Sequence, residues 1–330
     1  MSKIRWGVLS TANIGREKVI PAMQAGMHSV VTAIASANKE QAEAIAKQHN
    51  IAKVYHSYEA LLADPEIDAV YIPLPNHLHV PWAIKALQAN KHVLCEKPIA
   101  LSAAEAEELL QVSLHNPHLK IMEAFMYRFH PQWPATKNLV YNGSIGELKN
   151  IESYFSYYNA DPENIRNKKD IGGGGLMDIG CYPISLSRFI FDREPERVFG
   201  TLGIDPVFET DSMASAILDF KTGTSVFSCS TQQVPFQKVN IIGTEGRIEL
   251  EVPFSPSPDA PARIWQHTKN GSEEIIFDAT NQYTLQGDLF SLSILNNEPI
   301  PFSITDAVSN MKVIEAVFKS GREGTWVNLF

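Results

Sequence analysis

The sequence predicts an α/β domain built on a parallel sheet, followed by an α+β domain with a large, mainly antiparallel open sheet. Three observations carry this expectation. The first 124 residues alternate short apolar runs with helix-period segments, the pattern of strand–helix–strand units. After about Tyr127 the chain turns to long segments that alternate apolar and polar side chains, as strands with one wet face do. The length, 330 residues, exceeds what one ordinary core organises and suits two domains. The expected domains are 1–124 and 125–330.

In the first part, Ile4 to Leu9, Val30 to Ala35, Ala69 to Ile72, His92 to Cys95 and Ile121 to Ala124 read as strands. Glu17 to Ala25, Lys39 to His49 and His79 to Ala89 read as the helices between them. Ser102 begins another helix, running to about Leu114, and Glu105 stands three residues on, as a capping box requires. In the second part a helix is expected over Gln132 to Tyr141. The β-type runs are Glu147 to Tyr158, Arg197 to Leu202, Ser212 to Phe220, Thr224 to Cys229, Lys238 to Ile242 and Arg247 to Glu251. Gly243-Thr244-Glu245-Gly246 reads as a turn, and Ser255 to Pro261, with three prolines, as a loop. A last helix spans Asp306 to Ser320.

Composition narrows the function classes. Hydrophobic residues make up 44% and charged residues 20%, an ordinary globular balance. The formal net charge is −9 with no basic block, so nucleic acid is not an expected partner. No apolar run approaches the roughly 18 residues of a membrane span. Met1 to Gly7 lacks the apolar core of a signal peptide, so the expected location is cytoplasmic. Cys95, Cys181 and Cys229 lie far apart, which supports reduced thiols rather than a zinc site or a disulfide framework.

The turn after the first strand is Ser10-Thr11-Ala12-Asn13-Ile14-Gly15. Small residues here let backbone N–H groups approach a pyrophosphate at a helix N-terminus. The three glycines of the dinucleotide fingerprint would fall at positions 10, 12 and 15. Ser10 and Ala12 replace two of them. A tight turn without a ligand stays an alternative; the position after the first strand of an alternating domain favours a Rossmann-type dinucleotide site. The second strand ends at Ser36, where an NAD-specific site usually has a carboxylate for the ribose 2′-hydroxyl. With no carboxylate there, and Lys39 able to attract a 2′-phosphate, the expected cofactor is NADP ahead of NAD. Lys39 as a solvated first-turn residue is the plainer alternative.

Two further segments lie at strand ends, where ligands bind in open α/β sheets. One is Tyr71-Ile72-Pro73-Leu74-Pro75-Asn76-His77-Leu78-His79, whose Pro73 and Leu74 are expected to touch the cofactor. The other is His92-Val93-Leu94-Cys95-Glu96-Lys97-Pro98. Glu96-Lys97-Pro98 resembles a signature of the glucose–fructose oxidoreductase and inositol dehydrogenase family, Gfo/Idh/MocA. Gly172-Gly173-Gly174-Gly175-Leu176-Met177-Asp178-Ile179-Gly180-Cys181-Tyr182 resembles its second signature. The Ser10 to Gly15 turn and Asp306 to Val327 are also similar, so the resemblance covers nearly the whole chain. It is closest to the branch of NADP-dependent D-xylose and trans-dihydrodiol dehydrogenases. The resemblance implies that Asn76 and His79 touch the nicotinamide or its ribose, and it raises a cis geometry near Pro98. Relatives often have His where this chain has Tyr182, which makes inositol-type substrates less expected.

The chemistry reads as follows from the residues. Oxidising an alcohol by hydride loss also requires removing its proton. Lys97 can do so if desolvation or a cationic neighbour lowers its pKa, and Glu96 can orient it. Tyr182 stands four residues after Asp178, so both project from one helix face. The phenol can share the proton work, and Asp178 can hold a substrate hydroxyl or orient Lys97. Arg128 can reach a cofactor phosphate or amide, or form a structural ion pair with Glu123. Tyr158 and Arg166, with Phe155 and Tyr157, are expected to line the substrate cleft; an aromatic stripe on a sheet is also often core or interface. Gly172 to Gly175 is expected to let its loop adjust over a ligand. His77 and His79 have no carboxylate or Cys at ligand spacing, so no metal is expected. The expected activity is an NAD(P)-dependent dehydrogenase or reductase acting on a CH–OH group of a sugar or cyclic polyol. A dihydrodiol or anhydro-ketose substrate is the alternative within this chemistry, and a non-catalytic dinucleotide-sensing regulator the alternative outside it. The open sheet of the second domain needs covering, which predicts a homodimer or homotetramer.

Overall fold

A computed structural model describes residues 2–329. The chain forms two compact units, and each is built around one sheet.

The first unit holds the strands β1 (Ile4–Leu9), β2 (Ser29–Ala35), β3 (Lys53–Tyr55), β4 (Ala69–Ile72), β5 (His92–Cys95) and β6 (Ile121–Glu123). All neighbours run parallel, in the order β3-β2-β1-β4-β5-β6. That order reverses direction at β1, and ligands bind at such a switch point. β1 and β4 are buried nearly throughout, which a parallel sheet covered on both faces demands. The intervening helices are α1 (Ile20–Gln24), α2 (Lys39–His49), α3 (Tyr58–Leu62), α4 (His79–Gln88) and α5 (Ala103–His115). A wide π-turn over Gly15–Val19 leads without a break into α1, where Pro21 follows directly. Asn38 caps α2 by accepting Gln41 N–H at 3.0 Å, and Ser102 caps α5 by accepting Glu105 N–H at 3.1 Å. Each cap contributes about 1 kcal/mol.

The second unit carries α6 (Gln132–Tyr141), β7 (Leu148–Tyr158), α7 (Cys181–Phe191), β8 (Arg197–Ile204), β9 (Asp211–Asp219), β10 (Thr224–Ser230), β11 (Gln232–Gly243), β12 (Gly246–Leu250), β13 (Ala262–Thr268) and β14 (Gly271–Phe277). With β15 (Val327–Asn328) they make a nine-stranded sheet ordered β14-β13-β12-β11-β7-β10-β9-β8-β15. Only β7 and β10 pair in parallel. Alternation decides the faces. Ile151, Ala214, Ala216, Phe227, Val239 and Ile241 are buried on one side, while Val226 and Phe236 are 40% and 49% exposed on the other.

Two late helices complete the chain: α8 (Gln282–Leu295) and α9 (Ile304–Glu323). The sequence assigns everything after 124 to the second domain. The chain instead returns, and Asn281–Val308 groups with the first unit. The reason lies in β1. Trp6 is fully buried, its indole N–H needs an acceptor, and Ser291 Oγ of α8 supplies one at 3.1 Å. Asp288 of α8 also accepts Met27 N–H, His28 N–H and the Ser29 hydroxyl. Among the described residues, no helix is long and apolar enough to cross a membrane, and no His/Cys/Asp/Glu cluster could hold a metal.

Candidate active site

The loops after β1 and β4 are tied together by one side chain. Ser10 has φ 111°, a region L-residues rarely adopt. Its hydroxyl donates to Pro73 O at 3.1 Å and accepts Ala12 N–H at 3.2 Å. Thr11 Oγ1 donates to Gln41 Oε1 of α2 at 2.9 Å. Asn13 is exposed, and Ile14 and Gly15 begin the π-turn, whose first N–H groups have no acceptor within the helix. At the end of β2, Ser36 is buried and its Oγ accepts Asn38 N–H at 3.1 Å. Lys39 opens α2 on the surface, 3.9 Å from Glu43.

The loop after β5 carries Glu96 and Lys97. Fully buried Tyr71 donates its hydroxyl to Glu96 Oε1 at 2.6 Å; burial, then the Glu96 charge, push that phenol well above its usual range. The Lys97–Pro98 peptide is cis. The Pro98 carbonyl lies 2.7 Å from Nδ1 of His79, and the Leu74 carbonyl lies 2.7 Å from its Nε2. Ile99 N–H donates to Glu123 Oε1 at 2.8 Å. Lys97 itself is half-buried, and Asn76 sits in a short turn, Asn76–Leu78, before α4. Tyr283 of α8 belongs to the same neighbourhood. Burial and Glu96 push its phenol up, and Lys97 pulls it down.

In the second unit a π-turn over Leu176–Gly180 leads into α7. Asp178 is buried in it, and its Oδ2 accepts the Tyr157 hydroxyl at 2.5 Å and lies 2.9 Å from Arg166 Nε. The Asp178 charge pushes the Arg166 guanidinium further up, against the pull of burial. Tyr182 is 5% exposed, with ring centroids 5.5 Å from Phe155, 5.5 Å from Phe254 and 5.6 Å from Tyr127. Phe155 and Tyr157 share one face of β7, since side chains alternate along a strand. Asp178 and Tyr182 therefore both project towards that face. Four residues along a helix and two along a strand each span about 6–7 Å, so the two pairs match.

Comparison with known proteins bears on this arrangement. Residues 4–119 match the oxidoreductase family with an NAD-binding Rossmann fold, and residues 133–249 match the GFO/IDH/MocA C-terminal domain. An uncharacterised oxidoreductase of Rhizobium meliloti is 43% identical over 99% of both chains. The chain belongs to the Gfo/Idh/MocA family. A D-xylose 1-dehydrogenase (NADP(+)) of Haloferax volcanii is 36% identical, over 98% of this chain and 99% of that one. A 3-ketoreductase from Actinomadura kijaniata, crystallised with NADP and TDP-benzene, superposes with a TM-score of 0.90 at 28% identity, covering 96% of this chain and 98% of that one. Like the named members of the Gfo/Idh/MocA family, the chain is a nicotinamide-dependent oxidoreductase.

Within this family frame four expectations change. His79, expected against the nicotinamide, is 1% exposed with both ring nitrogens on carbonyls, so it braces two strand-end loops instead. Arg128 is buried, and its guanidinium donates to Ser185 Oγ at 2.7 Å and Ser185 O at 3.2 Å, which fastens it to α7. Tyr158 is 67% exposed on the opposite face of β7; the phenol at Asp178 belongs to Tyr157. The glycine run is not slack. A Cβ on Gly174, at φ 116°, would stand 2.1 Å from Asp211 Oδ1, and one on Gly173 would stand 2.6 Å from Arg166 O. Glycine is there for close approach. Tyr71 and Tyr283 were missed as neighbours of the Glu96–Lys97 pair. Nothing in a buried strand marks Tyr71, and α8 gave no periodic signal.

Proposed function

We propose that the protein catalyses reversible hydride transfer between the nicotinamide of NADP and a hydroxyl-bearing carbon of a sugar or cyclic polyol. The observation that carries the reading is the bracing of the Lys97 loop. Buried Tyr71, His79 and Glu123 hold Glu96, Pro98 and Ile99 in turn. Such support is what a pre-organised proton-transfer group needs. The named relatives support the substrate class, since one is a D-xylose 1-dehydrogenase and another a 3-ketoreductase.

Bound nicotinamide supplies or accepts the hydride. Lys97 takes the hydroxyl proton during oxidation and returns one to the carbonyl oxygen during reduction. Tyr182 donates a hydrogen bond to the same oxygen. Asp178, held by Arg166 and Tyr157, orients a substrate hydroxyl, and Glu96 orients Lys97. The Ser10 to Gly15 turn fits a pyrophosphate: Ala12 and Gly15 are small, and a Cβ even at Gly15 would meet nothing nearer than Pro73 Cγ at 3.5 Å. Pro73, Leu74 and Asn76 would flank the nicotinamide. NADP is favoured over NAD because Ser36 follows β2 with exposed Lys39 beyond it, because one named relative is an NADP(+) dehydrogenase, and because the 3-ketoreductase was crystallised with NADP. The outer face of the nine-stranded sheet, with Val226 and Phe236 exposed, supports a homodimer or homotetramer, which sedimentation would read.

The test is direct. Purified protein is mixed with NADP or NAD and a panel of aldoses, inositols and dihydrodiols, and absorbance of reduced nicotinamide is followed. Turnover of a sugar or polyol with NADP preferred is the expected result. Cofactor binding by fluorescence with no turnover across the panel would overturn the reading.

A further inference from the structure

β9 opens on Asp211, which lies outside every motif of the sequence. The residue is 3% exposed. Its Oδ2 accepts Leu176 N–H at 2.6 Å, and Leu176 begins the π-turn that carries Asp178. Backbone N–H groups of Gly175 and of Asp211 itself also favour the carboxylate. Its Oδ1 occupies the space that any side chain at Gly174 would need.

From there the contacts run to both members of the Arg166–Asp178 pair. Gly174 N–H donates to Arg166 O at 2.8 Å, and Gly173 N–H donates to Lys168 O at 3.0 Å. Asp178 N–H donates to Gly174 O at 3.0 Å. The main chain of Arg166 and the main chain of Asp178 thus meet on one glycine, and Asp211 Oδ1 lies against it. An anion also suits this place, because the first N–H groups of a helix lack acceptors and carry partial positive charge. Burial works against the three backbone donors. Burial pushes the carboxyl up to about 7, with Asp178 adding like-charge repulsion.

We propose that Asp211 is a positioning residue that sets the Arg166–Asp178 pair through the Gly174–Leu176 backbone. This rests on the assignment of Asp178 to the substrate. Asp178 from the π-turn and Cys229 from β10 are titratable neighbours of the Asp211 carboxylate. Neither offers a cation to replace the backbone donors.

The experiment compares Asp211→Asn, Arg166→Gln and the double variant in the sugar or polyol oxidation assay, with Asp178→Asn as reference. Asp211→Asn is expected to lower kcat by about 10- to 100-fold, as misplacement of a substrate-orienting group does, with the KM for NADP unchanged. In the Arg166→Gln background the same change should cost less than threefold, because the pair it positions is already broken. Gly174→Ala, which pushes on the carboxylate from the other side, should reproduce the kcat loss and serves if Asp211→Asn does not fold. Full multiplication of the two losses, or kcat within twofold of wild type in both Asp211→Asn and Gly174→Ala, would overturn the proposal. If Asp178→Asn itself keeps full turnover, the assignment of Asp178 fails, and this proposal with it; if only Asp178→Asn loses turnover, the positioning role alone fails.

Discussion

Arg166 Nε stands 2.9 Å from Asp178 Oδ2, on the same oxygen that takes the Tyr157 hydroxyl. Two donors on one oxygen hold the carboxylate in place. A hydrogen bond to a charged group contributes about 1.5–3 kcal/mol, so Arg166→Gln should lower kcat/KM by roughly 10- to 150-fold. Arg166→Lys should recover only part of this, because an ammonium lacks the planar fork. Steady-state kinetics on the three proteins decides it. Full activity in the Lys variant would mean that charge alone matters.

Ser10 offers a second test. A non-glycine residue at φ 111° costs about 1–3 kcal/mol. Ser10→Gly removes that cost, loses the hydroxyl's hydrogen bonds to Pro73 O and from Ala12 N–H, together about 1–2 kcal/mol, and adds about 0.5–1 kcal/mol of unfolded-state entropy. The contributions nearly cancel, so the glycine variant should melt within a few degrees of wild type. Ser10→Val keeps the unfavourable φ, adds a branched Cβ and loses the bond, and should melt clearly lower. Equal melting of the Val variant would show that the turn does not hold this backbone.

Much of this molecule was legible in its sequence. The central strands of the parallel sheet announce themselves because both faces are buried and most side chains are apolar. The Asp178–Tyr182 spacing placed both on one helix face, and the structure turns them to the same strand. What stayed hidden has physical causes. β3 is three residues at a sheet edge, all half-buried, and shows no period. β13 and β14 end the other sheet and carry charged residues on short alternating runs. α8 buries Gln282, Gln286, Gly287, Ser291 and Ser293 around Phe290, so its packed face is mostly polar and no apolar stripe marks it. The polar face of α8 gives the sequence no sign that Asn281–Val308 returns to the first unit, nor of Tyr283. For Arg128 and His79 a sequence cannot show whether a polar side chain is spent on the protein's own groups.

Lys97→Met tests the proton-transfer role. Methionine matches the lysine stem in length and cannot exchange a proton. The variant should bind NADP as wild type does and lose turnover by about 100-fold or more, the usual contribution of a general acid–base group. Fluorescence titration and single-turnover absorbance separate the two effects. Activity equal to wild type would remove Lys97 from the mechanism.

Cofactor choice can be moved at the end of β2. Ser36→Asp places a carboxylate where NADP would present its 2′-phosphate, and like charges in contact cost several kcal/mol. The ratio of kcat/KM for NADP over NAD should fall by about 100-fold. Lys39→Ala should lower it less, since Lys39 is exposed and screened. If Ser36→Asp leaves the ratio in place, the 2′-phosphate does not lie against β2.

The last prediction concerns acid stability and rests on His79. Burial pushes this imidazole down to about 4; the carbonyls of Pro98 and Leu74 pull the other way and lose, and Lys97 and His77 add to the downward push. The folded protein therefore keeps His79 neutral, whereas the unfolded chain takes up a proton below about 6.5. The stabilisation is fully present above pH 6.5 and is lost as pH falls towards 4, up to about 3 kcal/mol in all. At pH 5 the loss from this one group should be about 2 kcal/mol. His79→Gln, which cannot protonate, should start from a lower melting temperature at pH 7.5 because it gives up a buried brace. It should then fall less than wild type between pH 7.5 and 5. His92 and His130 are also held down to about 4 by burial, but they act equally in both proteins and cancel in the difference. Parallel falls in the two proteins would mean that His79 is charged in the fold, with the two carbonyls holding an imidazolium beside Lys97.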